Sequence, residues 1–281
     1  MTALQVRAIE EAAPFERLCA LLEWIDEVQA GESGSIVFGE ESKGIVLVQS
    51  GRVCWAASPA LAAGFSHRLR RDASIDDGQL AGVFRECRES GKPFGETLVA
   101  RGVVTIETLR TVLLQHTAET LLLLAAEPSP RWVASPPWPS SASRYDHSLT
   151  FSSAELLTYS ADGWWGPLAA AGRDELAAAI GDRDAVGLAF LRDAATPDAI
   201  VPIGIVGAGE LSAKEVLAAG RAAATLMHCG DLLGARMIAS TWSDGRTSVV
   251  WLDQGTYYAA MSAERSEIAF IVAHLSRRAA G

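Results

Sequence analysis

The sequence lacks the residue patterns that mark common metal, redox and membrane sites. It has only four cysteines, with no Cys-x-x-Cys pair, and its five histidines lack the spacing of paired zinc ligands. We therefore predict no metal site and no redox dithiol. No apolar run approaches the roughly 20 residues that a membrane-spanning helix needs, and no basic-then-apolar secretory signal opens the chain. We expect reduced thiols and a cytoplasmic location.

Basic charge is also scarce. The chain has 24 Lys and Arg residues against 34 Asp and Glu residues, which gives a formal net charge of −10. A field of this sign repels nucleic acid unless a local basic patch counteracts it. The densest basic cluster, residues 67–71, contains an apolar residue and predicts a solvated helix end. Contact with nucleic acid or another anion is the alternative for this cluster.

The spacing of chemically reactive residues assembles no catalytic set of nucleophile, base and anion-binding group, so we predict that the chain is not an enzyme and carries no cofactor. Glycines at both ends of residues 39–44 have the spacing of a phosphate loop, but Ile45 and Val46 stand where Lys and Ser/Thr are required. Gly207 and Gly209 follow an apolar run and precede a helix, as in a dinucleotide fingerprint, with Ser212 at the third position. A nucleotide site and a glycine-rich turn capped by Ser212 are both consistent with that pattern.

The composition, 49% hydrophobic and 21% charged over 281 residues, is typical of packed globular protein and predicts two domains. In the first, residues 1–165, the pattern predicts an amphipathic helix over residues 15–28 and then a small antiparallel sheet up to residue 57. A helical array over residues 74–126 and an edge strand around residues 131–133 follow. Ser152 to Glu155 match a capping box that opens a further helix.

The second predicted domain, residues 168–281, begins after the Gly163-Trp164-Trp165-Gly166-Pro167 stretch. Its elements follow the order α-β-β-α-β-β-β-α, with a long helix over residues 212–233 and hairpin turns at residues 244–245 and 254–255. The first helix is expected over residues 174–180. The fold class predicted for the whole chain is α+β, with a helix, a small antiparallel sheet and a helical array in the N-terminal half.

The first domain resembles a known family. The apolar hairpin over residues 45–56 and the stretch of residues 148–157, which leads into a Leu-Leu helix, are similar to the DUF4388 (PATAN) family, over roughly residues 8–165. That family has no assigned catalytic role and is associated with bacterial signalling scaffolds. The resemblance implies a scaffold function in bacterial signalling.

A shorter resemblance lies inside it. Residues 94–104, Phe-Gly-Glu-Thr-Leu-Val-Ala-Arg-Gly-Val-Val, followed by Leu109 and Leu113, resemble the N-terminal domain of type II secretion and pilus ATPases. Some of those domains bind cyclic di-GMP through two tandem Arg-Leu-Gly motifs. Here one copy is present, Pro93 stands at the arginine position, and His116 stands at the glutamine position beside Gln115. These departures from the family motif favour a helical turn that serves packing. The resemblance itself implies the alternative function, a receptor for cyclic di-GMP or another nucleotide.

The second domain resembles the Roadblock/LC7 fold over roughly residues 170–281, through its element order and its long helix from Ser212. That family includes bacterial forms that partner small Ras-like GTPases, and its central helix and a neighbouring strand commonly form a homodimer interface. The resemblance implies a non-enzymatic protein-interaction scaffold whose partner is a small Ras-like GTPase or a response regulator. Residues 247–252 are expected as an edge strand that pairs across the dimer axis.

The long helix carries a face of small residues that would let two backbones approach closely. These candidate dimer-interface residues are Val216, Ala219, Gly220, Ala223 and Met227. The alternative is that this face packs on the sheet of its own domain, and a helix with two apolar sides allows both.

Overall fold

The structure is a computed structural model. It describes residues 13–29, 32–39, 43–62, 64–92, 94–127, 130–134, 147–192, 200–207, 211–232, 236–242 and 245–280. These residues combine helices with two antiparallel sheets, so the predicted α+β class is confirmed.

The chain divides into two compact units. The N-terminal unit is Leu21–Tyr159, and the C-terminal unit combines Met1–Ala20 with Ser160–Gly281. The divisions fall between residues 20 and 21 and between residues 159 and 160, the second a little before the Gly163–Pro167 stretch that the sequence indicated. Residues 13–20, expected in the first domain, group with the C-terminal unit.

The N-terminal unit contains a four-stranded antiparallel sheet in the order β3-β2-β1-β4. Its strands are β1 (Gly34–Phe38), β2 (Gly44–Gln49), β3 (Arg52–Ala57) and β4 (Arg131–Ala134). The helices of this part of the chain are α1 (Ala13–Gln29), α2 (Gly64–Asp72), α3 (Asp77–Ser90), α4 (Phe94–Ala100), α5 (Ile106–Leu124) and α6 (Ser153–Trp165). The unit division falls inside α1 and α6.

The sequence of the N-terminal sheet has an alternating pattern of burial along its strands and residues suited to tight turns between them. Buried residues alternate with half-buried ones along β1 and β2, which leaves one face of the sheet for the core. Ser50 and Gly51 join β2 to β3 with φ angles of 49° and 80°, which is the left-handed geometry of a tight two-residue hairpin. β4 pairs only with β1 among the described strands, as the predicted edge strand.

The helical array surrounds α5, whose face against the core carries Leu109, Leu113 and Leu121. Thr105 caps α5 by accepting a hydrogen bond from Thr108 N, as its position before an apolar run predicts. The spacing of apolar residues in α3 predicts Leu80, Val83 and Phe84 on the inner face of the helix. Leu80 and Val83 are buried there, but 47% of Phe84 is exposed, and its side chain borders a cavity.

The C-terminal unit contains a five-stranded antiparallel sheet in the order β6-β5-β9-β8-β7. Its strands are β5 (Val186–Arg192), β6 (Ile200–Val206), β7 (Met237–Thr241), β8 (Thr247–Asp253) and β9 (Thr256–Ser262). Its helices are α7 (Pro167–Ile180), α8 (Ala213–Leu232) and α9 (Arg265–Ala280). The observed order of elements is the predicted α-β-β-α-β-β-β-α. α7 starts earlier than the expected Asp174 because Pro167 occupies the first turn, where proline favours helix initiation.

Helices cover both faces of this sheet. A Cβ atom on Gly187 of β5 would contact Leu176 and Ile180 of α7. The next residue of β5, Leu188, instead lies against Gly220 of α8. Successive strand residues point to opposite faces, so α7 and α8 lie on opposite sides of the sheet. α9 lies on the α7 side, where Arg278 pairs with Glu175.

Two expectations about the strands of this unit have different outcomes. Gln254 and Gly255, with φ angles of 46° and 82°, form the predicted tight turn between β8 and β9. The expected edge position of residues 247–252 is wrong, because β8 lies between β9 and β7 and pairs with both. β7 and β6 are the edges of the sheet. The other predicted turn, at residues 244–245, includes Asp244, which lies outside the described residues.

None of the helices in the described ranges combines the length and apolar character needed to cross a bilayer.

Candidate functional site

The candidate dimer-interface residues on α8 face the sheet of their own unit. Val216, Ala219, Gly220, Ala223 and Met227 are all buried. A Cβ atom on Gly220 would lie 2.5 Å from Leu188 Cδ2 and even closer to Ile200 Cδ1. This is the second of the two expected arrangements, packing of the small-residue face on the sheet. A contact made by α8 with another copy would use its opposite side, where Lys214, Ala218 and His228 are exposed.

The basic cluster of residues 67–71 is largely neutralised within the N-terminal unit. Arg68 pairs with Glu119, Arg70 with Asp77, and Arg71 with Asp72. These pairs favour the solvated helix end over an anion-binding patch. In the described ranges, no group of three or more His, Cys, Asp and Glu side chains could hold a metal ion. The suggested Gly207–Ser212 nucleotide turn lies partly outside the described residues, since Ala208 and Gly209 are not described.

The N-terminal unit contains an apolar cavity of about 410 Å³. Its walls come from β3 and from α2, α3, α4 and α5, with Leu149 closing one side. A volume of this size is within the range of small-molecule pockets, about 300–1,000 Å³.

One wall of the cavity is a continuous run of aromatic rings. Trp55 and Phe65 meet edge to face with ring centroids 5.0 Å apart, Phe65 lies 6.3 Å from Phe94, and Phe94 stacks on Phe84 at 4.4 Å. These four side chains come from four different elements. Their proximity is therefore a product of the tertiary fold.

Cys54, Ser66 and Glu96 add polar groups to the mostly apolar lining of the cavity. Burial raises the pKa of the Cys54 thiol to about 12, so the thiol stays protonated and is a poor nucleophile at neutral pH. Glu96 is half-buried and makes no ion pair with any residue in the described ranges. The described lining contains no Lys or Arg side chain.

Sequence reasoning found one part of this site and missed another. The Phe94-Gly95-Glu96 start of the secretion-ATPase-like segment lines the cavity, and Gly95 lets α4 approach α5, since a Cβ there would lie 3.2 Å from Leu109 Cδ2. Pro93, at the arginine position of that segment, lies outside the described residues. Trp55 and Phe65 were not singled out, because no periodic signal links residues on separate elements.

His116 lies behind the aromatic wall. Its ring centroid is 4.9 Å from that of Trp55 and 5.5 Å from that of Phe65, and only 3% of the residue is exposed. Nδ1 of its ring has no hydrogen-bond partner among the described residues. Burial, helped by the nearby Arg68 charge, lowers the pKa of His116, while the Ala56 backbone and Glu119 oppose the shift. His116 is therefore neutral in the folded protein near pH 7.

We predict that this buried histidine makes the N-terminal unit sensitive to acid. Well above pH 6.5, the ordinary histidine pKa, both the folded and unfolded states hold His116 neutral. As the pH falls below that value the unfolded chain binds the proton first, so the free energy of unfolding decreases. Urea unfolding of the unmodified protein and of His116→Gln at neutral and mildly acidic pH measures this effect. The glutamine variant should lose less stability on acidification, and equal losses in the two proteins would contradict the prediction.

Comparison of the chain with protein-family models, with curated proteins and with solved structures finds no match. The resemblances to the DUF4388, secretion-ATPase and Roadblock/LC7 families therefore stay predictions.

Proposed function

We propose that this chain is a non-enzymatic protein-interaction scaffold in bacterial signalling. Its C-terminal unit self-associates and recruits a protein partner, with a small Ras-like GTPase or a response regulator as the class of partner. The observation that carries the proposal is the C-terminal α-β-β-α-β-β-β-α order, with all five strands in one antiparallel sheet. That order is the basis of the Roadblock/LC7 resemblance, which implies a platform for other proteins.

The edge strand β7 offers a surface for self-association. Trp242 N donates to Arg246 O, and Leu252 N donates to Arg236 O, so the even-numbered residues of this segment bond to β8. The backbone groups of Ala239 consequently point away from β8, towards the edge of the sheet, where a second strand can pair. Pairing of β7 with β7 around a two-fold axis gives an isologous contact, which is the commonest form in homo-oligomers.

Light scattering on the full-length protein at micromolar concentration is expected to give the mass of a dimer. Ala239→Pro should shift it to a monomer with an unchanged circular dichroism spectrum, because proline removes an N–H that faces the open edge. Ser240→Pro, which removes a ladder hydrogen bond to β8, is the comparison that should destabilise the sheet. If the unmodified protein has the mass of a monomer, the proposed dimer does not form. If Ala239→Pro remains a dimer, β7 is not the dimer interface. Used as bait, the unmodified full-length protein should recover a GTPase or response regulator that Ala239→Pro recovers less well.

A further inference from the structure

We propose that the cavity of the N-terminal unit binds an apolar organic cation: an amine or quaternary ammonium group on an aromatic or aliphatic body, with Glu96 as counter-ion. This inference is independent of the scaffold function, because it rests on the cavity alone.

The lining favours an apolar body. Trp55, Phe65, Phe84 and Phe94 present aromatic surface, and Leu109 and Leu113 add aliphatic surface. Transfer of apolar ligand area from water to such a surface is favourable by about 25 cal/mol per Å². Phe84 leaves 47% of its surface exposed, so part of this wall remains accessible from solvent.

The negative charge of the cavity lining favours a positively charged ligand. Glu96 is the single charged side chain among the described lining residues, and it is negative. Aromatic ring faces are also negative, so a cation beside these rings is attracted both by the rings and by the carboxylate. An anion would be repelled by the same groups, and no described lining residue offers a guanidinium or an ammonium group to bind it. This argues against cyclic di-GMP and other nucleotides as the occupant.

Glu96 forms no ion pair with any described residue. Three arginines of the same unit have carboxylate partners elsewhere, since Arg101 pairs with Glu86, Arg68 with Glu119, and Arg110 with Glu155. The Glu96 carboxylate is therefore available to a cation in the cavity. The hydroxyl of Ser66 and the protonated thiol of Cys54 supply hydrogen-bonding groups without introducing a second charge.

Three probes and the full-length protein test the proposal by calorimetric and ligand-detected NMR titration. Phenyltrimethylammonium carries the cation, tert-butylbenzene has the same shape without the charge, and cyclic di-GMP represents an anionic nucleotide. We expect saturable binding of phenyltrimethylammonium, about tenfold tighter than that of tert-butylbenzene, and no binding of cyclic di-GMP at micromolar concentration. Equal affinity for the first two probes, no saturation by the cation, or binding of cyclic di-GMP would overturn the proposal.

Variants locate the site and its charge. Glu96→Gln should weaken the binding of phenyltrimethylammonium several-fold, leaving only the attraction of the aromatic rings, while tert-butylbenzene binding stays unchanged. Glu107→Gln removes a glutamate from the first turn of α5, outside the cavity lining, and should bind both as the unmodified protein does. Ser66→Trp fills the cavity from its half-exposed side and should abolish binding of both probes while the thermal melt stays cooperative. An unchanged cation affinity in Glu96→Gln or in Ser66→Trp would exclude this cavity as the site. If Glu96→Gln does not fold, the probe pair and Ser66→Trp still decide the question.

Discussion

Replacing Gly220 with glutamate is expected to unfold the C-terminal unit. The position is buried between α8 and the sheet, where even a Cβ atom would lie 2.5 Å from Leu188 Cδ2. Overpacking a core typically destabilises by about 1–3 kcal/mol, and burial of an unpaired carboxylate adds several kcal/mol more. Because whole domains have free energies of unfolding of only about 5–15 kcal/mol, the sum is enough to remove most of the folded population. Urea titration followed by near-ultraviolet circular dichroism should show a non-cooperative C-terminal unit.

The matched control is Ala218→Glu, on the exposed side of the same helix. It introduces the same side chain two residues away and should change the free energy of unfolding by less than about 0.5 kcal/mol. Gly220→Ala should fall between the two, because Leu188 and Ile200 meet the new Cβ with the ends of flexible side chains. A Gly220→Glu protein that melts like Ala218→Glu would mean that this face of α8 is not packed on the sheet.

The small-residue face of α8 shows why its role could not be read from the sequence. Ala219, Gly220 and Ala223 would serve a close helix–helix contact between two copies and a close helix–sheet contact within one copy equally well. Periodicity identifies such a face but not the surface that it meets. The structure assigns it to Leu188 of β5 and Ile200 of β6, so a charged residue at Gly220 tests the core rather than a dimer interface.

Local signals predicted local structure well. The Gln254-Gly255 turn and the capping box at Ser152 and Glu155 each depend on residues within four positions of one another, and the structure has both. The edge of the C-terminal sheet could not be predicted in the same way. The pairing of β5 with β9, two strands far apart in sequence, leaves β6 and β7 as the two edges, whereas β8 lies inside the sheet because it pairs with both β7 and β9. The aromatic wall of the cavity was missed for the same reason.

The second large effect is expected at Glu155, which joins three parts of the N-terminal unit. Its Oε2 accepts hydrogen bonds from Arg52 Nη2 of β3 and from Ser152 N, both at 2.8 Å, and its Oε1 pairs with Arg110 of α5. Arg52 also donates to Thr150 Oγ1 and O, and its side chain is only 12% exposed. The guanidinium of Arg52 therefore has little access to water if Glu155 is removed.

Glu155→Ala should lower the free energy of unfolding of the N-terminal unit by about 3 kcal/mol. Loss of the capping box contributes about 1 kcal/mol. The rest comes from losing the carboxylate that accepts a hydrogen bond from Arg52. This loss costs less than the about 3–5 kcal/mol of a fully buried broken pair, because the Glu155 side chain is 30% exposed and Arg52 keeps its hydrogen bonds to Thr150.

Two further variants separate these contributions in urea unfolding experiments. Glu155→Gln keeps a side chain that can complete the cap but removes the charge, so it should retain the capping part of the stability. Glu119→Ala breaks the pair with Arg68, in which the glutamate side chain is 49% exposed, and should lower stability by less than about 1 kcal/mol. Equal losses in Glu155→Ala and Glu119→Ala would mean that the Arg52–Glu155–Arg110 network behaves as a surface ion pair. A larger loss at Glu155 means that this carboxylate fastens the segment before α6 to β3, where Val53 and Phe151 exchange backbone hydrogen bonds of 2.8 and 2.9 Å.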